Sequence, residues 1–162
     1  MGKSFLIRRA VPRDADAIAR MANDAAVEEG LVSGLDAERI KSHAFGAGAL
    51  FEAWVAQERS NAPMAGHAVI TKSYDMRRAC PTIVLCELYV VPIQRRSGLA
   101  RKLMSAVARR ARDLGARELA ITTGVDNEVA QRFFAAVGAH PRQAAVFMMS
   151  ADGIEWLAAE SL

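Results

Sequence analysis

TIVLCELYVVPIQRRSGLARKLM, residues 82–104, is the stretch from which the rest of the chain is read. Its first half is rich in β-branched and aromatic residues and almost continuously apolar, the composition of a strand buried in a sheet. Pro92 ends that strand, since its ring removes a ladder N–H. From Gly98 the period becomes helical: Leu99, Leu103, Val107, Ala111 and Leu114 fall at steps of four and three, and Gly115 stands where a C-terminal cap is expected. The loop RRSGLA, residues 95–100, therefore lies at the mouth of a helix, directly after a strand. Backbone N–H groups there lack intrahelical partners, the helix dipole is positive, and Gly98 and Ala100 carry little bulk, so the natural ligand is an anion. Arg95 and Arg96 are placed to add charge-assisted contacts. By local pattern alone the same residues also describe an ordinary turn of an α/β protein. Neither GxGxxG nor a glycine-rich run ending in Gly-Lys-Ser/Thr is present.

Working outward, SFLIRRA (residues 4–10) reads as a short strand. PRDADAIARMANDAA (12–26) reads as a helix with Pro12 and Asp14 at its start, and VEEGLVSG (27–34) as a loop. A second helix is predicted over residues 36–45, capped by Asp36. FEAWVAQE (51–58) and AGHAVITKSY (65–74) are strand-like runs joined by a connection containing Asn, Pro and Gly. Beyond the helix that opens at Gly98, RELAITTGV (117–125) reads as a strand, NEVAQRFFAAVG (127–138) as a helix closed by Gly138, and QAAVFMMS (143–150) as a further strand. A last short helix follows Asp152. Met148 and Met149 are expected in the sheet core, and Trp54 and Trp156 as packing residues. His67, beside Gly66 in a strand, is expected to be structural.

At 162 residues the chain suits one domain, residues 1–162, able to bury about 70% of its unfolded surface. Apolar residues make up 52% and charged residues 24%, a balance that excludes wholesale disorder. Cys80 and Cys86 stand without a CxxC spacing, and the three histidines lie far from them in sequence, so no metal site is expected. MGKSFLIRRA lacks the apolar core of a signal peptide, and Glu87 interrupts the longest apolar run, so we expect a cytoplasmic protein without a membrane partner. The net charge of +3 is unevenly spread: seven of the 21 Lys and Arg lie within residues 95–112, which contain no acid. This surplus points to an anionic ligand or, for Arg109, Arg110 and Arg112, to a solvated helix face. No aromatic stacking pattern accompanies it, so no nucleic-acid partner is expected.

The run Arg95-Arg96-Ser97-Gly98-Leu99-Ala100 resembles the Gln/Arg-x-x-Gly-x-Gly/Ala signature of the GNAT superfamily of N-acetyltransferases. ELYVVP resembles the strand before that signature, and NEVAQRFFAAVGA resembles the superfamily's later Asn-x-x-Ala-x-x-Phe-Tyr-x-x-x-Gly-Phe/Ala segment. The pattern is closest to the diamine, or spermidine/spermine, acetyltransferase branch, whose acidic pair before the signature reads Cys86-Glu87 here. The resemblance implies an α/β fold with a mixed, mostly antiparallel sheet of about six to seven strands flanked by helices, and a cleft between two central parallel strands. It implies acetyl-CoA as co-substrate, a small-molecule primary amine such as a diamine or polyamine as acceptor, direct transfer in a ternary complex, and a homodimer.

Residue by residue, the resemblance assigns the pyrophosphate of coenzyme A to the loop formed by Arg95, Arg96, Ser97, Gly98, Leu99, Ala100 and Arg101. The pantetheine arm falls to the main chain of Leu88, Tyr89 and Val90, with Asn127, Ala130 and Phe134 contributing from the later segment. A backbone amide of Tyr89 or Val90 would stabilise the oxyanion. Glu87 is the candidate base or acceptor-binding carboxylate: strand alternation sets it on the face of Leu85 and Tyr89, opposite Cys86 and Leu88. Glu28 and Glu29 are candidates for binding a cationic acceptor. Phe134 stands where the superfamily has a tyrosine thought to protonate the departing sulfur. Two readings stay open: the thiolate leaves unprotonated, a free thiol having a pKa near 8.5, or the chain is an acyl-CoA-binding sensor or weakly catalytic paralogue. Of the two tyrosines, Tyr74 and Tyr89, the second is favoured as a substitute acid because it shares a face with Glu87. A protein lysine or N-terminus is the alternative acceptor.

Overall fold

The computed structural model of the chain describes residues 4–160. The chain forms two compact units, Met1–Gly124 and Val125–Leu162. The first contains β1 (Leu6–Arg9), α1 (Ala15–Glu28), α2 (Ala37–Ala44), β2 (Glu52–Gln57), β3 (Met64–Asp75), β4 (Cys80–Val90), α3 (Leu99–Asp113) and β5 (Glu118–Ile121). Single 3-10 turns at Pro12–Asp14 and Pro92–Gln94 precede α1 and the α3 loop. The second unit contains α4 (Glu128–Ala136) and α5 (Ala151–Ala158).

The sheet runs β1-β2-β3-β4-β5, antiparallel throughout except for the parallel β4–β5 pair. It is the expected α/β sheet with five strands among the described residues rather than six or seven. The parallel pair closes one end of this sheet, so its two strands are not central. Residues 143–150 carry no ladder: the second unit's regular elements are helices, and an extended segment becomes a strand only when a neighbour pairs with its backbone. In consequence Met148 and Met149 are exposed rather than core, and Trp156 is 68% exposed, whereas Trp54 is buried as expected.

α3 covers one sheet face. Its predicted stripe Leu99, Leu103, Val107 and Ala111 is buried. α1 and α2 cover the other face, where Ile18, Ala19, Ile40 and Ala44 pack with Ala53 and Val55 of β2. Both helices start as the sequence suggests. Asp36 accepts a hydrogen bond from Arg39 N at 2.8 Å, and Pro12 opens the turn before α1, which continues through Glu28 into the expected loop.

The sheet face covered by α3 also holds a carboxylate that sequence reading passed over. Glu52 is 3% exposed and accepts two 2.8 Å bonds from Arg110 of α3, with Arg9 of β1 and Lys72 of β3 at 3.3 and 3.2 Å. Arg110 is thus paired with a buried carboxylate rather than left on a solvated face. The Arg110 hydrogen bonds, opposed by burial and aided by Lys72 and Arg9, hold the Glu52 carboxyl down at about 2.

Candidate active site

β4 carries an extra residue. Val69 pairs with Glu87 and Ile70 with Leu85, so Cys86 is a β-bulge between them. The bulge resets the alternation on which the expected face of Glu87 rested. Leu85 stays with Ile70, while Glu87 turns to the face of Val69 and His67, where Cys86 also meets Thr71 (Sγ to Oγ1, 3.6 Å). Glu87 therefore shares a face with Tyr89 as expected, but with Cys86 rather than Leu85. A bulge bends its strand and increases the local twist. Pairing with β5 ends at Leu85↔Ile121, just before it, so the last five residues of β4 continue without β5.

The main chain of that free half has a defined polarity. Val91 N donates to Ala65 O at 3.0 Å, on the β3 side. By alternation Tyr89 also turns its N–H and C=O toward β3, and Leu88 and Val90 turn theirs away. In agreement, the Tyr89 carbonyl lies against Gly66, where an added Cβ would come within 2.5 Å of the oxygen, and the Val90 carbonyl accepts a 2.9 Å bond from Arg95 Nε. Gly66 is thus fixed by close backbone approach. Of the two amides expected to face an oxyanion, Val90's is on the open side.

Three side chains join on the face covered by α1. Tyr89 is buried, and its hydroxyl donates to Glu28 Oε1 at 3.1 Å. Arg95 donates to both Glu28 oxygens at 2.7 Å and lies over the Tyr89 ring, 5.6 Å from its centroid. Burial, then the Glu28 hydrogen bond, pushes the Tyr89 phenol up, while Arg95 above all holds the Glu28 carboxyl below its usual range. Tyr89 consequently keeps its proton at neutral pH. Behind it, His67 is fully buried, and its Nε2 lies 2.7 Å from Glu87 Oε1. Sequence reading gave His67 a structural part only. The signal that could have joined it to Glu87 is strand pairing, which a single sequence does not print.

The loop at the mouth of α3 has the geometry that its residues suggest. The Pro92–Gln94 turn is tied by Ser97 Oγ donating to Gln94 O at 2.6 Å. Arg96 and Gly98 both adopt left-handed backbone, with φ 58° and 80°. Gly98, the N-cap of α3, offers no capping side chain, and a Cβ there would meet nothing within 4 Å. The start of α3 thus takes no capping side chain from Gly98, and the space beside that glycine is open. Arg95, expected beside an anion, directs its guanidinium to Glu28 and Val90 O. Leu99 is buried in the core. Glu29 lies just beyond α1 and is exposed.

Asn127, Ala130 and Phe134 belong to the second unit. Asn127 Oδ1 caps α4 by accepting from Ala130 N at 3.0 Å, and Phe134 meets Phe133 edge to face at 5.4 Å.

Residues 16–139 match the family described as the acetyltransferase (GNAT) family. The chain belongs to that family. As a GNAT acetyltransferase it is an acyltransferase, and acetyl-CoA is the donor its family uses. No curated protein matches the sequence. Among solved structures, an integron cassette protein from the mobile metagenome of V. cholerae is 19% identical with a TM-score of 0.80, covering 98% of this chain and 100% of its own. An aminoglycoside acetyltransferase from an uncultured soil metagenomic sample, in complex with sisomicin, is 18% identical with a TM-score of 0.75, covering 90% and 95%. An aminoglycoside N-acetyltransferase in complex with CoA is 21% identical with a TM-score of 0.69, covering 90% and 98%. At these identities the likeness is one of fold. Among the described residues no helix is long and apolar enough to cross a membrane, and no three His, Cys, Asp or Glu gather where they could hold a metal ion.

Proposed function

We propose that this GNAT acetyltransferase transfers acetyl from acetyl-CoA to a primary amine of a small polycationic molecule, a class that includes diamines, polyamines and aminoglycosides. The observation that carries this reading is Glu87: a carboxylate 31% exposed, set by a bulge where β4 has lost its β5 partner, with one oxygen already engaged by His67. Bound at the site, acetyl-CoA supplies an acetyl group activated as a thioester. The chain's part begins at the mouth of α3, where the positive end of the helix, left-handed backbone and the open space at Gly98 fit a pyrophosphate. The outward main chain of Leu88 and Val90 suits an extended arm laid along the free edge of β4, and the Val90 N–H suits the developing oxyanion.

Glu87 takes a proton from the acceptor's ammonium and leaves a neutral, nucleophilic amine, using the oxygen that His67 leaves free. Tyr89, protonated at neutral pH and on the face of Glu87, takes the part that Phe134 lacks. Glu28 and Glu29 draw a cationic acceptor, Glu28 while shared with Arg95. Aminoglycoside acetyltransferases share this fold, which favours a polycationic acceptor.

Because the family match crosses from the first unit into the second, we take residues 1–162 as one functional domain. Asn127, Ala130 and Phe134 remain proposed coenzyme contacts. Cys80 and Cys86 are unpaired, in keeping with the cytoplasmic location we propose. The exposed apolar run Val146, Phe147 and Met148 supplies area for the proposed homodimer. The test is thiol release from acetyl-CoA against a panel of polyamines, aminoglycosides, amino acids and a lysine peptide. Turnover confined to the small polycations supports the reading, turnover only on the peptide makes it a protein acetyltransferase, and binding without turnover makes it a sensor.

A further inference from the structure

We propose that His67 is a positioning residue for acetyl transfer: from its buried place in β3 it donates Nε2–H to Glu87 Oε1 and so presents the other carboxylate oxygen to the acceptor amine. The inference rests on the reading of Glu87 as the base.

The geometry restricts the imidazole to one form. His67 is fully buried between Val55 of β2 and Tyr89 of β4, its register partners. Its Nδ1 is buried with no hydrogen-bond partner. With Nδ1 protonated and Nε2 bare, a lone pair would face the carboxylate oxygen 2.7 Å away. A doubly protonated ring would bury a charged N–H with nothing to accept it, which costs more than a bare acceptor. The neutral ring with its proton on Nε2 is left, and in that form His67 gives Glu87 a donor but does not take its proton.

The bulge explains why a donor is needed there. A glutamate has three side-chain torsions, and at Cys86 and Glu87 two successive side chains emerge on one face of a strand that lacks β5 beside it. The hydrogen bond from a rigid, fully packed ring selects one arrangement of that side chain before the acceptor arrives. Near-attack geometry is where such preparation counts, since a misplacement of about 1 Å can cost on the order of 100-fold in rate.

The test compares His67→Leu with His67→Gln, whose amide N–H reaches about as far as Nε2. His67→Leu should lower kcat on the order of 10- to 100-fold, with the KM for acetyl-CoA little changed, and His67→Gln should recover most of that loss. In a Glu87→Gln background His67→Leu should have no further effect. Equal losses in the Leu and Gln variants, tracking the fall in melting temperature, would make His67 a packing residue and overturn the proposal. If Glu87→Gln is slow and His67→Leu is as fast as the parent, the base survives and the positioning role fails; wild-type turnover in Glu87→Gln sinks both. A readout independent of turnover is the ¹⁵N spectrum of the His67 ring at pH 7. Protonated Nε2 with bare Nδ1 is expected, and the opposite tautomer or an imidazolium refutes the assignment.

Discussion

Glu52→Gln removes one charge from the carboxylate that holds α3 to three strands, while keeping its shape and an acceptor oxygen. Glu52 is 3% exposed and sits among Arg110, Arg9 and Lys72, so its loss is not the screened loss of a surface pair. A carboxyl that titrates at about 2 when folded and at 4.5 ordinarily gives roughly 3 kcal/mol of stability at neutral pH. Since the folded value is the lower one, this contribution is complete above pH 4.5 and is lost as pH falls toward 2. Urea unfolding of parent and variant should therefore differ by roughly 3 kcal/mol at pH 7, with the difference shrinking by about 1.4 kcal/mol for each pH unit below 4.5. A difference below about 1 kcal/mol at pH 7, or one that stays constant down to pH 3, would refute the reasoning. In either event Arg110 would not be anchoring α3, and the position of the Gly98 loop would need another explanation.

Gly66→Ala should destabilise the protein by about 1–3 kcal/mol in a thermal melt, because its Cβ meets the main-chain oxygen of Tyr89 at 2.5 Å and backbone cannot swing aside; parental stability would mean that β3 and β4 are less tightly apposed. Gly98→Glu, at φ 80° and beside open space, should cost about 1–2 kcal/mol of fold stability and weaken acetyl-CoA binding at least about tenfold by calorimetry; unchanged affinity would remove this loop from the coenzyme site. Glu28→Gln breaks an ion pair whose partners are more than two-fifths exposed, so urea unfolding should change by less than about 1 kcal/mol, while the KM for a polycationic acceptor rises; an unchanged KM excludes Glu28 from acceptor binding. Tyr89→Phe should lower kcat with coenzyme affinity kept, and full turnover would leave the departing thiolate without a protein acid.

The parts of the fold legible in the sequence were those written locally. The Leu99-Leu103-Val107-Ala111 stripe, the Asp36 cap and the Gly98 loop each depend on residues a few positions apart, and each is present. The residues of the candidate site were legible in the sequence, but their juxtaposition was not. Glu87 and Tyr89 stood out on β4, yet their partners are 20 and 61 residues away, and chain neighbours say nothing of such pairings. Alternation failed at Cys86 because a bulge is a property of two strands together. The strand expected at residues 143–150 failed for a related reason, as apolar β-formers become a strand only when a ladder receives them.

Arg95 shows how closely the two halves of the site are coupled. One guanidinium closes the Val90 carbonyl, lies over the Tyr89 ring and neutralises Glu28 at the end of α1, and it does so from the first residue of the α3 loop. An anion at that loop and a cation near Glu28 therefore act on the same ion pair from opposite ends. An anion that draws Arg95 forward leaves Glu28 with less neutralisation and raises its attraction for an ammonium; a cation at Glu28 frees Arg95 for the anion. Both effects have one sign, so by reciprocity coenzyme and polycationic acceptor should each tighten the binding of the other. A neutral acceptor would gain nothing from the exchange. Calorimetric titration of each ligand with and without the other checks this: equal affinities would leave the choice of acceptor independent of the loop.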